Sequence, residues 1–122
     1  MKRFGFPKSA RLLKPTEFDR VMQRRFSEAD GLMILYAARG QSSATRLGLV
    51  VSRKCGNAVV RNRWKRLLRE AFRLVYHELP AGLDLVVLPR RDAAPHVGRL
   101  QTSLKTLAAR LERRLAAADS KR

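Results

Sequence analysis

Few side chains in this sequence carry acid–base or nucleophilic chemistry near neutral pH, and their spacing does not bring them together. His77 and His96 are the only histidines. A histidine pair can break a phosphodiester by general acid–base catalysis, but these two are far apart, each near a helix end, and read as surface residues. The carboxylates are Glu17, Asp19, Glu28, Asp30, Glu70, Glu78, Asp84, Asp92, Glu112 and Asp119. They are scattered along the chain, without the cluster that two-metal hydrolysis needs. Cys55 is the only cysteine, which excludes an intramolecular disulfide and a zinc-finger site. Its place between Lys54 and a Gly-Asn turn suits a reactive thiolate, although a small buried filler is the better reading. No phosphate-binding loop, nucleophile elbow or dinucleotide fingerprint is present. The sequence reads as a binder.

The binding chemistry is concentrated between residues 53 and 73. Arg53, Lys54, Arg61, Arg63, Lys65, Arg66, Arg69 and Arg73 are basic there, and only Glu70 is acidic. Val60, Trp64, Leu67, Leu68, Ala71, Phe72 and Val75 recur at the spacing of one helix face. The stretch therefore predicts a helix over about 57–77, buried on one side and cationic elsewhere, with Asn57 as its N-cap. A helix N-terminus carries partial positive charge, so cations in its first turns are unfavourable unless an anion binds there.

The whole chain points the same way. Its 122 residues carry a formal net charge of +17, with 45% hydrophobic residues. That composition supports one folded domain, 1–122, and a polyanionic partner. No apolar run is long enough to span a membrane, and no apolar segment follows the basic Met1-Lys2-Arg3. A cytoplasmic nucleic-acid binder is expected, with no membrane as partner.

These residues need a scaffold. Residues 1–14 form a basic arm with apolar anchors at Phe4 and Phe6. Pro15 opens a first helix, with Thr16 and Asp19 resembling a capping box and Phe18, Val21, Met22 and Phe26 as its apolar stripe. Leu32–Ala38 and Thr45–Ser52 predict strands that would pair as a hairpin, with Gly48 marking a bulge or bend. Leu83–Leu88 is a further strand. A strand, a long helix and a strand imply a crossover with parallel pairing. Val97, Leu100, Leu104, Leu107, Leu111 and Leu115 predict a last helix over about 96–117 that packs on the sheet, leaving 119–122 as a tail. A strand rather than a helix precedes the basic helix, which argues against a helix-turn-helix and duplex-DNA readout. Phe18 and Tyr36 offer faces for stacking on an unpaired strand, or belong to the core.

Gly56-Asn57-Ala58-Val59, followed by Arg61-Asn62-Arg63-x-Lys65-Arg66-x-x-Arg69, resembles the protein subunit of bacterial ribonuclease P. Arg11-Leu12 with Phe18, Leu35-Tyr36, and Val50-Val51-Ser52-Arg53-Lys54 are similar to flanking patterns of that family, so the likeness spans residues 8 to 115. The resemblance implies an α+β fold: one compact domain of order α-β-β-β-α-β-α, with a four-stranded mixed sheet packed by helices. It also implies a left-handed crossover through the basic helix, against the right-handed connection that strand twist favours.

The resemblance further implies that catalysis lies in an RNA subunit, which removes the 5′ leader of precursor tRNA with Mg²⁺. By position, Arg53, Lys54, Arg61, Asn62, Arg63, Lys65, Arg66, Arg69 and Arg73 would hold the catalytic RNA. Asn62 could bond a base edge, a backbone group or a hydrated metal. Arg11, Phe18, Met22, Tyr36, Ser52 and Lys54 would form the leader cleft, between the sheet and the first helix. Met22 departs from the aromatic residue common there, which weakens stacking at that point. No metal site on the protein is assigned. The alternative is a structural RNA-binding protein of ribosomal type. A nuclease acting alone is disfavoured by the scattered acids.

Overall fold

β-strand Leu83–Pro89 (β4) is buried at almost every position, because both its neighbours in the sheet and both its faces are occupied. The computed structural model describes residues 10–91 and 93–121. Around β4 run helix α1 (Pro15–Gln23), strands β1 (Ser27–Ala29), β2 (Met33–Arg39) and β3 (Arg46–Leu49), helix α2 (Ala58–Val75) and helix α3 (Val97–Ser120). The element order is the expected α-β-β-β-α-β-α, and the four strands form one mixed sheet ordered β1-β2-β4-β3.

The expected hairpin between the second and third strands does not form. β4 inserts between them, antiparallel to β2 and parallel to β3. Insertion pairs both edges of β4, one of which a β2–β3 hairpin would leave open at the rim of the sheet. The strand-helix-strand connection through α2 has the expected parallel pairing. β1 occupies a stretch whose residues carry no strand pattern. Ser27, Glu28 and Ala29 become a strand by pairing with Tyr36, Leu35 and Ile34. Gly48 is not a bulge, since it pairs in register with Val86.

Alternation of side chains across the sheet sorts the core in two. Met33, Leu35, Ala37, Leu47, Leu83, Leu85 and Val87 face α2 and α3, meeting Trp64, Leu68, Phe72, Leu100, Leu104, Leu107 and Leu111. Val60, on the same expected stripe, lies outside this core and is 37% exposed. The opposite face carries Ala38 and Val86 beneath α1, which contributes Val21, with Phe18, Met22, Tyr36 and Leu88 half-buried around them. Leu12 joins this smaller cluster. The basic arm is thus part of the body from Ala10 onward. Leu12 N–H donates to the Leu47 carbonyl at 3.0 Å, and Arg11 bridges to Leu47 along the β3 edge. The anchors Phe4 and Phe6 lie outside the described residues.

Two helix ends differ from expectation. α1 is capped two residues earlier than Thr16, with Lys14 at the N-cap and Pro15 in the first turn, where its missing N–H costs nothing. The Glu17 carboxylate accepts the Leu13 and Lys14 N–H groups, both at 3.1 Å. α3 continues through the expected tail to Ser120, held by an ion pair from Asp119 to Arg39 Nε at 3.1 Å.

Candidate RNA interface

The first surface is built at the entry to α2. A single 3₁₀ turn, Arg53–Cys55, leads to Gly56, whose φ of 140° is open only to glycine at low cost. A side chain there would also start 2.9 Å from Val60. Asn57 Oδ1 then accepts the Val60 N–H at 3.0 Å, the expected N-cap. This geometry presents the first turns of α2, with their unpaired N–H groups, beside the exposed cations Arg53 and Lys54.

Charge pairing separates these cations from the rest. Arg20, Arg39, Arg46, Lys105 and Arg114 each meet a carboxylate. Of the cations assigned to RNA contact, Arg73 pairs with Glu70, one helical turn away. Arg53, Lys54, Arg61, Arg63, Lys65, Arg66 and Arg69 form no ion pair with a described residue. Arg61 Nε is buried without a hydrogen-bond partner. Like charges held together without counter-charges repel, and a polyanion relieves that repulsion. Asn62 is exposed among them.

The second surface is the sheet face that α1 leaves uncovered. The register places its residues in three rows. Ala38, Asp84 and Arg46 form the first, Tyr36, Val86 and Gly48 the second, and Ile34 and Leu88 the third. α1 lies over the first two. Beyond it is an open groove of about 430 Å³ whose lining includes Ile34, Leu88, Ser52, Lys54, Arg90 and Arg91. The floor is apolar and the rim cationic, with no carboxylate among the described lining residues. An unpaired nucleotide fits that pattern, with its base on Ile34 and Leu88 and its phosphates toward the rim.

The expected cleft residues divide between groove and support. Ser52 and Lys54 line the groove. Phe18, Met22 and Tyr36 stand in the α1 cluster beside it, half-buried. Arg11 lies further off, at the β3 edge. Lys54 belongs to both surfaces and joins them. Residue patterns missed Ile34, Leu88 and Arg90 as groove residues. Arg90 was legible as half of a basic doublet. Its backbone N–H donates to the Leu32 carbonyl at 2.9 Å and its Nε to the Asp30 carbonyl, so the loop is tied to the start of β2. Cys55 is almost buried at the groove edge, with its thiol 3.7 Å from the Pro89 carbonyl and 9% exposure.

α1 is fixed by charge. Asp84 is fully buried and receives Arg46 Nε at 2.9 Å, Arg46 Nη2 at 2.8 Å, and Arg20 Nη2. Arg46 Nη1 also reaches Glu17 at 2.8 Å. Hydrogen bonds from Lys14 and Leu13 N–H, with Arg46 alongside, hold the Glu17 carboxyl down to about 2. The bond to Asp84 raises the Arg46 guanidinium above its ordinary value. Among the described residues, no group of three or more His, Cys, Asp or Glu gathers to hold a metal ion. No helix among them is long and apolar enough to cross a membrane.

Comparison with known proteins supplies the context. The Ribonuclease P family model matches residues 6–112. The ribonuclease P protein component of Brevibacillus brevis is 48% identical over 84 residues, 68% of this chain and 67% of that protein. That of Chlamydia trachomatis serovar L2 is 39% identical over 105 residues, covering 85% and 87%. The Staphylococcus aureus RNase P protein superposes with a TM-score of 0.70 at 31% identity, over 82% of this chain and 93% of that one. The Thermotoga maritima RNase P protein gives 0.69 at 30% identity, over 80% and 96%. With the Arg61-Asn62-Arg63 surface and the groove standing on the fold those proteins share, the chain belongs to the ribonuclease P protein family.

Proposed function

We propose that this chain is the protein subunit of a ribonuclease P holoenzyme. In this reading it binds the catalytic RNA through the entry of α2 and the unpaired 5′ leader of precursor tRNA through the groove. The observation that carries the reading is the division of cations. Acids neutralise the arginines that hold the fold together, while Arg53, Lys54, Arg61, Arg63, Lys65, Arg66 and Arg69 are left for phosphates. Hydrolysis belongs to the RNA and its Mg²⁺. The chain's own residues neutralise charge, orient the leader and hold the substrate near the RNA. One buried free thiol suits a reducing compartment, and we read the chain as cytoplasmic.

The decisive experiment incubates precursor tRNA with Mg²⁺ and a ribonuclease P RNA near physiological salt, with and without this protein. Faster cleavage with protein is expected. No gain would overturn the reading in favour of a structural RNA binder, and cleavage by the protein alone would favour a nuclease.

A further inference from the structure

We propose that Asp84 is a positioning residue: through Arg20 and Arg46 it fixes α1 at one end of the sheet and so keeps open the groove over Ile34 and Leu88. This rests on the groove reading above. Successive rows on one sheet face are two residues apart, about 7 Å. α1 sits on the Asp84 and Val86 rows, and the groove floor is the Leu88 row. A shift of α1 by one row would cover the floor.

Apolar contact alone does not prevent that shift. Val86, Leu88, Ile34 and Tyr36 form a continuous apolar track, and the hydrophobic effect is non-directional. The Asp84 carboxylate is directional. It is fully buried on the row farthest from the groove, and a buried charge must stay with its partners. Its partners lie on one flank of α1: Arg20 bonds Asp84 itself, and Glu17, one turn earlier, bonds Arg46. Val21 faces the sheet between the flanks, and Phe18 and Met22 occupy the other flank, toward the groove. Arg20 Nη1 also donates to the Arg39 carbonyl at 2.9 Å, which ties the same flank to β2. Gly40 closes the site, because a side chain there would begin 2.8 Å from Asp84 Oδ1. Buried ion pairs add little net stability, and in this inference the network's part is to select one position of α1.

Asp84→Asn risks unfolding, so the primary variant is Arg20→Met, whose side chain is 37% exposed and whose loss leaves Arg46 on Asp84. Folding is checked by circular dichroism, and the holoenzyme is assembled with a ribonuclease P RNA. Affinity for that RNA, and kcat at saturating precursor, should stay within about twofold of wild type, since those contacts lie elsewhere. The preference for leader-bearing precursor over mature tRNA should fall about tenfold, as expected when a binding wall moves by an ångström or more. Arg20→Lys should restore most of it. Full preference in Arg20→Met, beside a wild type that shows it, overturns the inference alone. Parallel loss of RNA affinity and leader preference overturns it in favour of a general scaffold role. A wild-type holoenzyme indifferent to the leader overturns the groove reading, and this inference with it.

Discussion

The ring of Phe18 lies against the Cα of Gly48, so close that a methyl group at position 48 would fall 2.6 Å from Phe18 Cε1. Gly48 sits in regular strand pairing with Val86, and its missing side chain is the seat for the α1 aromatic ring. Gly48→Ala should therefore destabilise the protein by about 1–3 kcal/mol through overpacking. Leu12 Cβ, 3.1 Å from the same point, blocks escape on one side. Urea unfolding of Gly48→Ala, Phe18→Leu and the double variant measures this. The double variant should be more stable than the sum of the single effects requires, and strict additivity would show that the ring does not occupy that seat.

Much of this was readable in the sequence, for identifiable reasons. α2 announced itself because Trp64, Leu68, Ala71, Phe72 and Val75 keep helical spacing and all are buried. β4 was legible as an uninterrupted apolar run. β1 was not, because Ser27–Ala29 owes its strand state to β2 and not to its own residues. The groove floor was hidden for a related reason. Ile34 and Leu88 share a face only because β2 pairs with β4, and nearness along the chain favoured β3 as the partner. The cations of the RNA surface were visible as a cluster. The Asp84 network was not, since Arg20 and Asp84 are 64 positions apart.

The paired and unpaired cations predict different salt behaviour. Replacing Arg61 and Arg63 with Ala removes charges that hold no ion pair with a described residue. The melting temperature should change little, while affinity for ribonuclease P RNA falls. The slope of log affinity against log salt concentration should drop by roughly 1.5, as two phosphate contacts are lost. An unchanged slope in a salt titration would show that neither side chain contacts a phosphate.

Glu17 sets part of the acid limb of stability. Its folded pKa of about 2 lies below the ordinary 4.5, chiefly because Lys14 and Leu13 N–H groups bond the ionised form. A depressed carboxyl stabilises the fold above its unfolded pKa, and that contribution is lost as pH falls through the folded value. Glu17→Gln should thus be less stable than wild type at pH 7. Between about pH 4.5 and 2 the gap should narrow, and denaturant midpoints across that window test it. A constant gap would mean that the carboxylate's charge contributes nothing.

Arg25 ends α1 with φ of 59°, the left-handed region that glycine enters freely. The strain costs an L-residue about 1–2 kcal/mol, and glycine's extra freedom when unfolded returns about 0.5–1 kcal/mol of that. Arg25→Gly should raise stability by a few tenths to about 1 kcal/mol, read as a higher melting temperature. A lower melting temperature would show that the Arg25 side chain contributes more than its backbone costs.

Tyr36 tests whether the cluster beside the groove takes part in leader binding or only supports it. Its ring is half-buried over Val86, one row from the groove floor at Ile34 and Leu88. A leader base on that floor would abut the ring edge or stack on its exposed part. Tyr36→Ala should then weaken binding of leader-bearing precursor by roughly 1–3 kcal/mol more than binding of mature tRNA. Tyr36→Phe, which keeps the ring, should stay near wild type on both. Should Tyr36→Ala weaken precursor and mature tRNA equally, Tyr36 is a core residue, and the leader meets only Ile34, Leu88 and the cationic rim.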